Sequence, residues 1–136
     1  MSDDVTLVRG AIHNPAEPRH FMRIVPVDRT VTATVDGVEV ARSDRAMKVK
    51  EVGRDVYDPV VYVPRDDVDL ARLERTDRTT HCPLKGDTEY FDLLLDDGRI
   101  EHGAWSYVTT FDFAAELAGL VAFDTADVDV VEHRIG

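Results

Sequence analysis

The stretch Thr30-Val31-Thr32-Ala33-Thr34-Val35-Asp36-Gly37-Val38-Glu39-Val40 decides the fold class. Val31, Ala33 and Val35 alternate with threonines, a period of two that puts the apolar side chains on one face of a strand. Asp36-Gly37 then supplies a two-residue turn that tolerates positive φ, and Val38 and Val40 resume the alternation. The segment predicts an antiparallel hairpin. Outward from it the same grammar repeats. Ala46 to Val52 alternates again, and Val60 to Val63 is a β-branched and aromatic run closed by Pro64, which lacks the N–H a central strand needs. Tyr90 to Leu95, the turn residues Asp96-Asp97-Gly98, and Arg99 to Tyr107 predict a second hairpin. Leu120 to Phe123 and Val128 to Val131 predict two closing strands around a turn at Asp124 to Asp127.

Little of the chain predicts helix. Between Arg65 and Arg78, acids interspersed with Val68, Leu70 and Leu73 suit a helical turn followed by an exposed connection. Phe113 to Gly119 predicts one short helix, with Asp112 as N-cap and Gly119 as stop. Residues 1–23, which include Asn14-Pro15-Ala16-Glu17-Pro18, predict an extended arm wrapping the domain, its first few residues mobile. Residues 24–136 then form a single domain, the size expected of one core in a chain of 136 residues. Some eight short strands with hairpin turns predict an all-β, partly open antiparallel sandwich or barrel with one short helix, and make a parallel α/β fold improbable.

Charge removes whole classes of partner. At a formal net charge of −11 the chain repels phosphate backbones and anionic bilayers, so neither nucleic acid nor membrane is expected. One cysteine cannot close an internal disulfide, and no apolar run approaches the roughly 18 residues of a membrane-spanning helix. Asp3 and Asp4 stand where a signal peptide carries Lys or Arg, and Arg19, His20 and Arg23 interrupt the apolar residues that follow. A reducing, cytoplasmic setting is the expectation.

Thr79-Thr80-His81-Cys82-Pro83-Leu84-Lys85-Gly86 gathers the chain's cysteine, one of its five histidines and one of its three lysines. A thiol nucleophile needs a cation to favour the thiolate and a base within about 3 Å. Cys82 as nucleophile, His81 or His102 as base and Lys85 stabilising the thiolate or an oxyanion would meet that need. On an extended segment, however, His81 and Cys82 point to opposite faces. Pro83 and Gly86 suggest a loop from which Lys85 folds back toward Cys82. The competing reading packs the thiol as a small apolar group. No CxxC or HxxxH spacing supports a metal, a site built from Cys82, His81 and His102 is the weaker alternative, and no cofactor is expected. Lys85-Gly86 lacks the glycines of a phosphate-gripping loop. Lys85, Arg65 and Arg78 either hold a small anion or pair with Asp66, Asp77 and Asp87. Trp105 and Tyr107, two residues apart on one strand face, join Tyr62 and Tyr90 as candidate walls of a cleft for a flat ligand. The side on which His102 lies depends on whether a bulge intervenes.

Val61-Tyr62-Val63-Pro64-Arg65-Asp66-Asp67-Val68, Thr76 to Asp87 with its Thr-His-Cys-Pro-x-Lys-Gly core, Ala104-Trp105-Ser106-Tyr107 and Gly119-Leu120-Val121-Ala122-Phe123 together resemble the bacterial family known as domain of unknown function 427. The resemblance spans about Val27 to Val131. It implies an Mss4-like β-tent, a fold whose other branches hold zinc through two CxxC knuckles or bind small ligands in an aromatic cleft. A lone Cys82 leaves this chain without that zinc framework. A nucleotidyltransferase-like label sometimes attached to the family finds here no paired-aspartate site preceded by a Gly-Ser turn. The resemblance singles out Tyr62, Arg65, Thr80, His81, Cys82, Lys85, Trp105 and Tyr107, and departs at Val108, where similar sequences carry proline.

The preferred expectation is a small molecule, anionic or aromatic, held between the Cys82–Lys85 loop and the Trp105 strand, with Tyr62, Arg65, Thr80, His102 and Tyr107 as further contacts. A thiol-dependent enzyme with Cys82, His81 and Lys85 is the rival. A third reading is an interaction module that uses a sheet edge, as in a homodimer.

Overall fold

A computed structural model describes residues 10–134. The arm expectation is corrected at once, because strand β1 (Ile12–Asn14) and strand β2 (Glu17–Pro26) form a hairpin. The side-chain carbonyl of Asn14 accepts the Ala16 N–H at 2.9 Å and closes its turn. The mobility expected of the first residues falls outside the described residues. The strands β3 (Thr30–Val35) and β4 (Val38–Ser43) are the hairpin read from alternation, with Asp36 and Gly37 at φ 49° and 81°. β5 (Met47–Val52) pairs with β2 on one side and β6 (Val60–Tyr62) on the other, so residues taken for a wrapping arm are ladder-bonded members of a sheet.

Downstream, β7 (Leu73–Cys82), β8 (Gly86–Leu95) and β9 (Gly98–Thr110) run antiparallel in sequence, and β10 (Val121–Phe123) joins the far side of β9. β11 (Asp129–His133) pairs with β3. The described residues thus form an all-β fold of three antiparallel sheets, ordered β1-β2-β5-β6, β10-β9-β8-β7 and β11-β3-β4. β7 occupies what the sequence suggested was an exposed connection. As an edge strand with most of its side chains in solvent, it carries no apolar alternation to betray it. The helical segments, Arg65–Asp67, Leu70–Arg72 and Asp112–Leu117, are all 3-10 turns. Asp112 is not the N-cap. Phe111 occupies that position, while Gly119 stops the segment at φ 77° and donates its N–H to the Tyr107 carbonyl at 3.0 Å. No described helix is long and apolar enough to cross a membrane.

Two cores form on opposite faces of the β10-β9-β8-β7 sheet, because alternate side chains of its strands separate. Val121, Phe123, Phe91, Leu93 and Ala104 join Val31, Ala33 and Val40 from the β3-β4 hairpin in the first. Ala122 and Tyr107 meet Met22 of β2, Val49 of β5 and Tyr62 of β6 in the second. Reciprocal Val63–Val121 hydrogen bonds, both 2.8 Å, seam the first sheet to the second.

The turn between β7 and β8 dives into this second core. Leu84 at its tip is 0% exposed. Asn14 donates its side-chain amide to the Pro83 carbonyl at 3.0 Å, and the Phe111 N–H reaches the Lys85 carbonyl at 3.2 Å. Gly86 leaves the turn at φ 128° with its backbone against β9, where a Cβ would collide with the Thr109 carbonyl oxygen. Gly86→Ala should therefore destabilise the protein by more than about 1 kcal/mol, read from its denaturant midpoint, since both conformation and space exclude the methyl. An unchanged midpoint would show that this turn is not held as described.

Candidate functional site

Burying Leu84 drags its neighbour Lys85 inward. The ammonium, on a side chain only 7% exposed, forms an ion pair with Glu51 of β5, itself 15% exposed. The second oxygen of that carboxylate meets His20 Nε2 of β2 at 2.6 Å. One carboxylate is thereby gripped by two nitrogen groups from separate elements. Burial alone would push the Glu51 carboxyl up, but the hydrogen bonds and charges of His20 and Lys85 outweigh it, and its pKa lies below the ordinary 4.5.

Above this pair opens a cleft of about 670 Å³. Its aromatic walls come from Trp105 and Tyr107 of β9, Tyr62 of β6, Tyr90 of β8 and Tyr57 of the β5–β6 loop. Tyr62 and Tyr107 lie 6.3 Å apart with rings tilted by 45°, and the Trp105 Nε1–H points at the Tyr62 hydroxyl across a long 3.5 Å. Burial, joined by the nearby negative groups, pushes both phenols far up, so they remain protonated hydrogen-bonding groups at neutral pH. Two protein cations lie over aromatic faces in the same cleft, Lys85 at 5.7 Å from the Tyr107 centroid and Arg78 at 4.5 Å from Tyr90. Thr80 reaches the wall indirectly, its hydroxyl 3.0 Å from Tyr90 Oη and 2.8 Å from Thr88 Oγ1.

A bulge opposite Asp92 positions His102. Three residues before Trp105 it would occupy the other face of a regular strand, but at φ 51°, with its N–H bonded to Asp92 Oδ1 at 2.9 Å, it turns into the cleft. There its ring meets Tyr90 edge-on at 5.9 Å.

Of the residues singled out by sequence, Tyr62, Lys85, His102, Trp105 and Tyr107 line one cleft. Arg65 does not. It lies against the first core, over Phe91 at 5.9 Å and donating to Ser106 Oγ at 3.3 Å. His81 is also outside, mostly exposed and bonded to Asp87 Oδ1 at 2.7 Å. Because Thr79 to Cys82 is strand rather than loop, His81 and Cys82 take opposite faces. Half-buried Cys82 packs against the second core instead of lining the cleft. The thiol, imidazole and ammonium proposed as a catalytic set therefore have separate partners, and Lys85 spends its charge on Glu51.

Sequence reasoning did not reach Glu51, His20 or Tyr57. A signal for Glu51 existed, since alternation through β5 puts it on the face of buried Val49, where an acid needs a partner. Asp58, Glu101 and Asp124 complete the acidic side of the cleft, which holds four acids against Arg78, Lys85 and the His102 imidazole. No cluster of metal-ligating side chains occurs among the described residues.

A family model described as a domain of unknown function (DUF427) matches residues 23–134, and the chain belongs to that family. No curated protein matches it.

Because the folded-state pKa of Glu51 is depressed, its stabilisation is present above pH 4.5 and is lost as pH falls through the lower folded value. The stability gap between wild type and Glu51→Gln should shrink on acidification below about pH 4.5, as followed by denaturant unfolding. A gap that widens toward acid would contradict the pairing. Iodoacetamide should label half-buried Cys82 far more slowly in the native protein than in denaturant.

Proposed function

We propose that this domain binds a small molecule in the cleft between the Lys85 turn and the Trp105 strand. The observation that carries this reading is the Lys85–Glu51 pair, two charges kept out of water at the floor of a concave, aromatic-walled space. Burying an ion pair contributes little net stability compared with apolar packing of the same volume, so a protein gains no folding advantage by building one. What such a floor does supply is a fixed donor and acceptor for a polar group lying on it, with Tyr62 and Tyr107 hydroxyls beside it and Trp105 free to stack on a flat ring. Lys85 being neutralised by Glu51, the ligand recognised there is uncharged or cationic rather than the anion that a lone lysine would draw in. A half-buried lone thiol suits a reducing compartment, which agrees with a cytoplasmic setting.

Thermal-shift screening of flat heteroaromatic fragments tests the reading. At least one fragment should raise the wild-type Tm by several degrees and lose that effect in Trp105→Ala. Wild type and Trp105→Ala responding identically to every fragment would refute it.

A further inference from the structure

The cleft does not end at Trp105. Beyond it lies a second hollow of about 370 Å³ whose walls are mainly apolar, from Pro59, Val61, Phe123 and Val130. Asp58, Val60, Trp105 and Asp124 line both spaces and form their common wall. Two of those four residues are carboxylates, and the bases that line the hollows are engaged elsewhere: Lys85 on Glu51 and Arg78 over Tyr90. Lys48, the lysine of the second hollow, is committed to Glu132 at 2.8 and 3.0 Å. Asp124 Oδ1 accepts the Ala126 N–H at 3.0 Å, while Asp58 has no ion-pair partner among the described residues.

We propose, resting on the small-molecule reading above, that the two hollows are lobes of one site for an elongated amphipathic organic cation. Its positive centre lies at the junction, against the Trp105 face and between Asp58 and Asp124, and its apolar arm runs into the second lobe. Shape argues for length, because two lobes joined along one wall total more space than a single flat ring fills. Chemistry argues for the cation. An indole flanked by carboxylates attracts a diffuse positive charge through both its quadrupole and the local field, and the cleft already holds Arg78 and Lys85 over tyrosine faces in the same way. No group of three or more side chains able to hold a metal ion occurs here among the described residues.

Trp105 is the chain's only tryptophan, so its emission reads binding directly. Butyl- to octyltrimethylammonium should quench or shift it saturably, tightening about three- to fourfold per added methylene until the second lobe is full. The alkanol of equal length should bind several-fold more weakly, and the alkanoate not measurably. Asp58→Asn, at an exposed position, should weaken the ammonium up to about fivefold and leave the alkanol unchanged. Equal affinity for ammonium and alkanol would overturn the cation, and affinity independent of chain length would overturn the second lobe. Heteroaromatic fragments binding where no alkylammonium does would overturn this inference and leave the small-molecule reading intact. Emission unmoved by any of them, with no fragment binding, would overturn both.

Discussion

Lys85 and Glu51 are two charges in a place where neither is stable alone. Removing either partner from a buried pair costs about 3 to 5 kcal/mol, because the remaining charge is left dry and uncompensated. The pair forms where the β7–β8 turn meets β5, and His20 of β2 closes the second oxygen of the carboxylate. Everything that fixes that turn serves this meeting: Leu84 buried at its tip, Gly86 pressed against β9, and hydrogen bonds from Asn14 and Phe111 to Pro83 and Lys85. The N-terminal hairpin is thereby part of the site. β2 brings His20, and Asn14 of β1 holds the turn from outside.

The same pair determines what the cleft can recognise. A lysine in an acidic protein suggests an anion site, but once its charge is matched by Glu51 the remaining formal charges of the cleft are Asp58, Glu101 and Asp124 against Arg78 alone. Aromatic rings supply the remaining surface, and the two protein cations within the cleft already lie over tyrosines. Recognition through stacking and cation–π contact follows from this lining more directly than recognition of phosphate or carboxylate.

Where one face of a strand is buried and the turn chemistry is specific, the fold is legible in the sequence. β3 and β4 announce themselves through Val31, Ala33 and Val35 and the left-handed Asp36-Gly37, and Gly119 announces the end of its segment. β7 is silent because an edge strand such as Leu73–Cys82 needs no apolar period. Pro15 and Pro18 suggest an irregular arm, yet the first lies in a turn and the second in the exposed start of β2. Within the site, Trp105 and Tyr107 follow from simple alternation. His102 does not, because its orientation depends on a bulge opposite Asp92 whose one compositional mark is the neighbouring Gly103. Glu51 is separated from Lys85 by 34 positions, and only its placement among inward-facing apolar residues hints that a cation must come to it. Arg65 shares a motif with Tyr62 but lies on the other side of the sheet, over Phe91, which motif membership alone does not distinguish.

The most direct test of this account is a double-mutant cycle in which Lys85→Met and Glu51→Leu are combined and unfolding free energies compared. A buried, mutually dependent pair predicts a double variant far more stable than the two single losses would sum to, with a coupling of at least about 1.5 kcal/mol. Losses that add to within about 0.5 kcal/mol would mean that the two charges do not depend on each other.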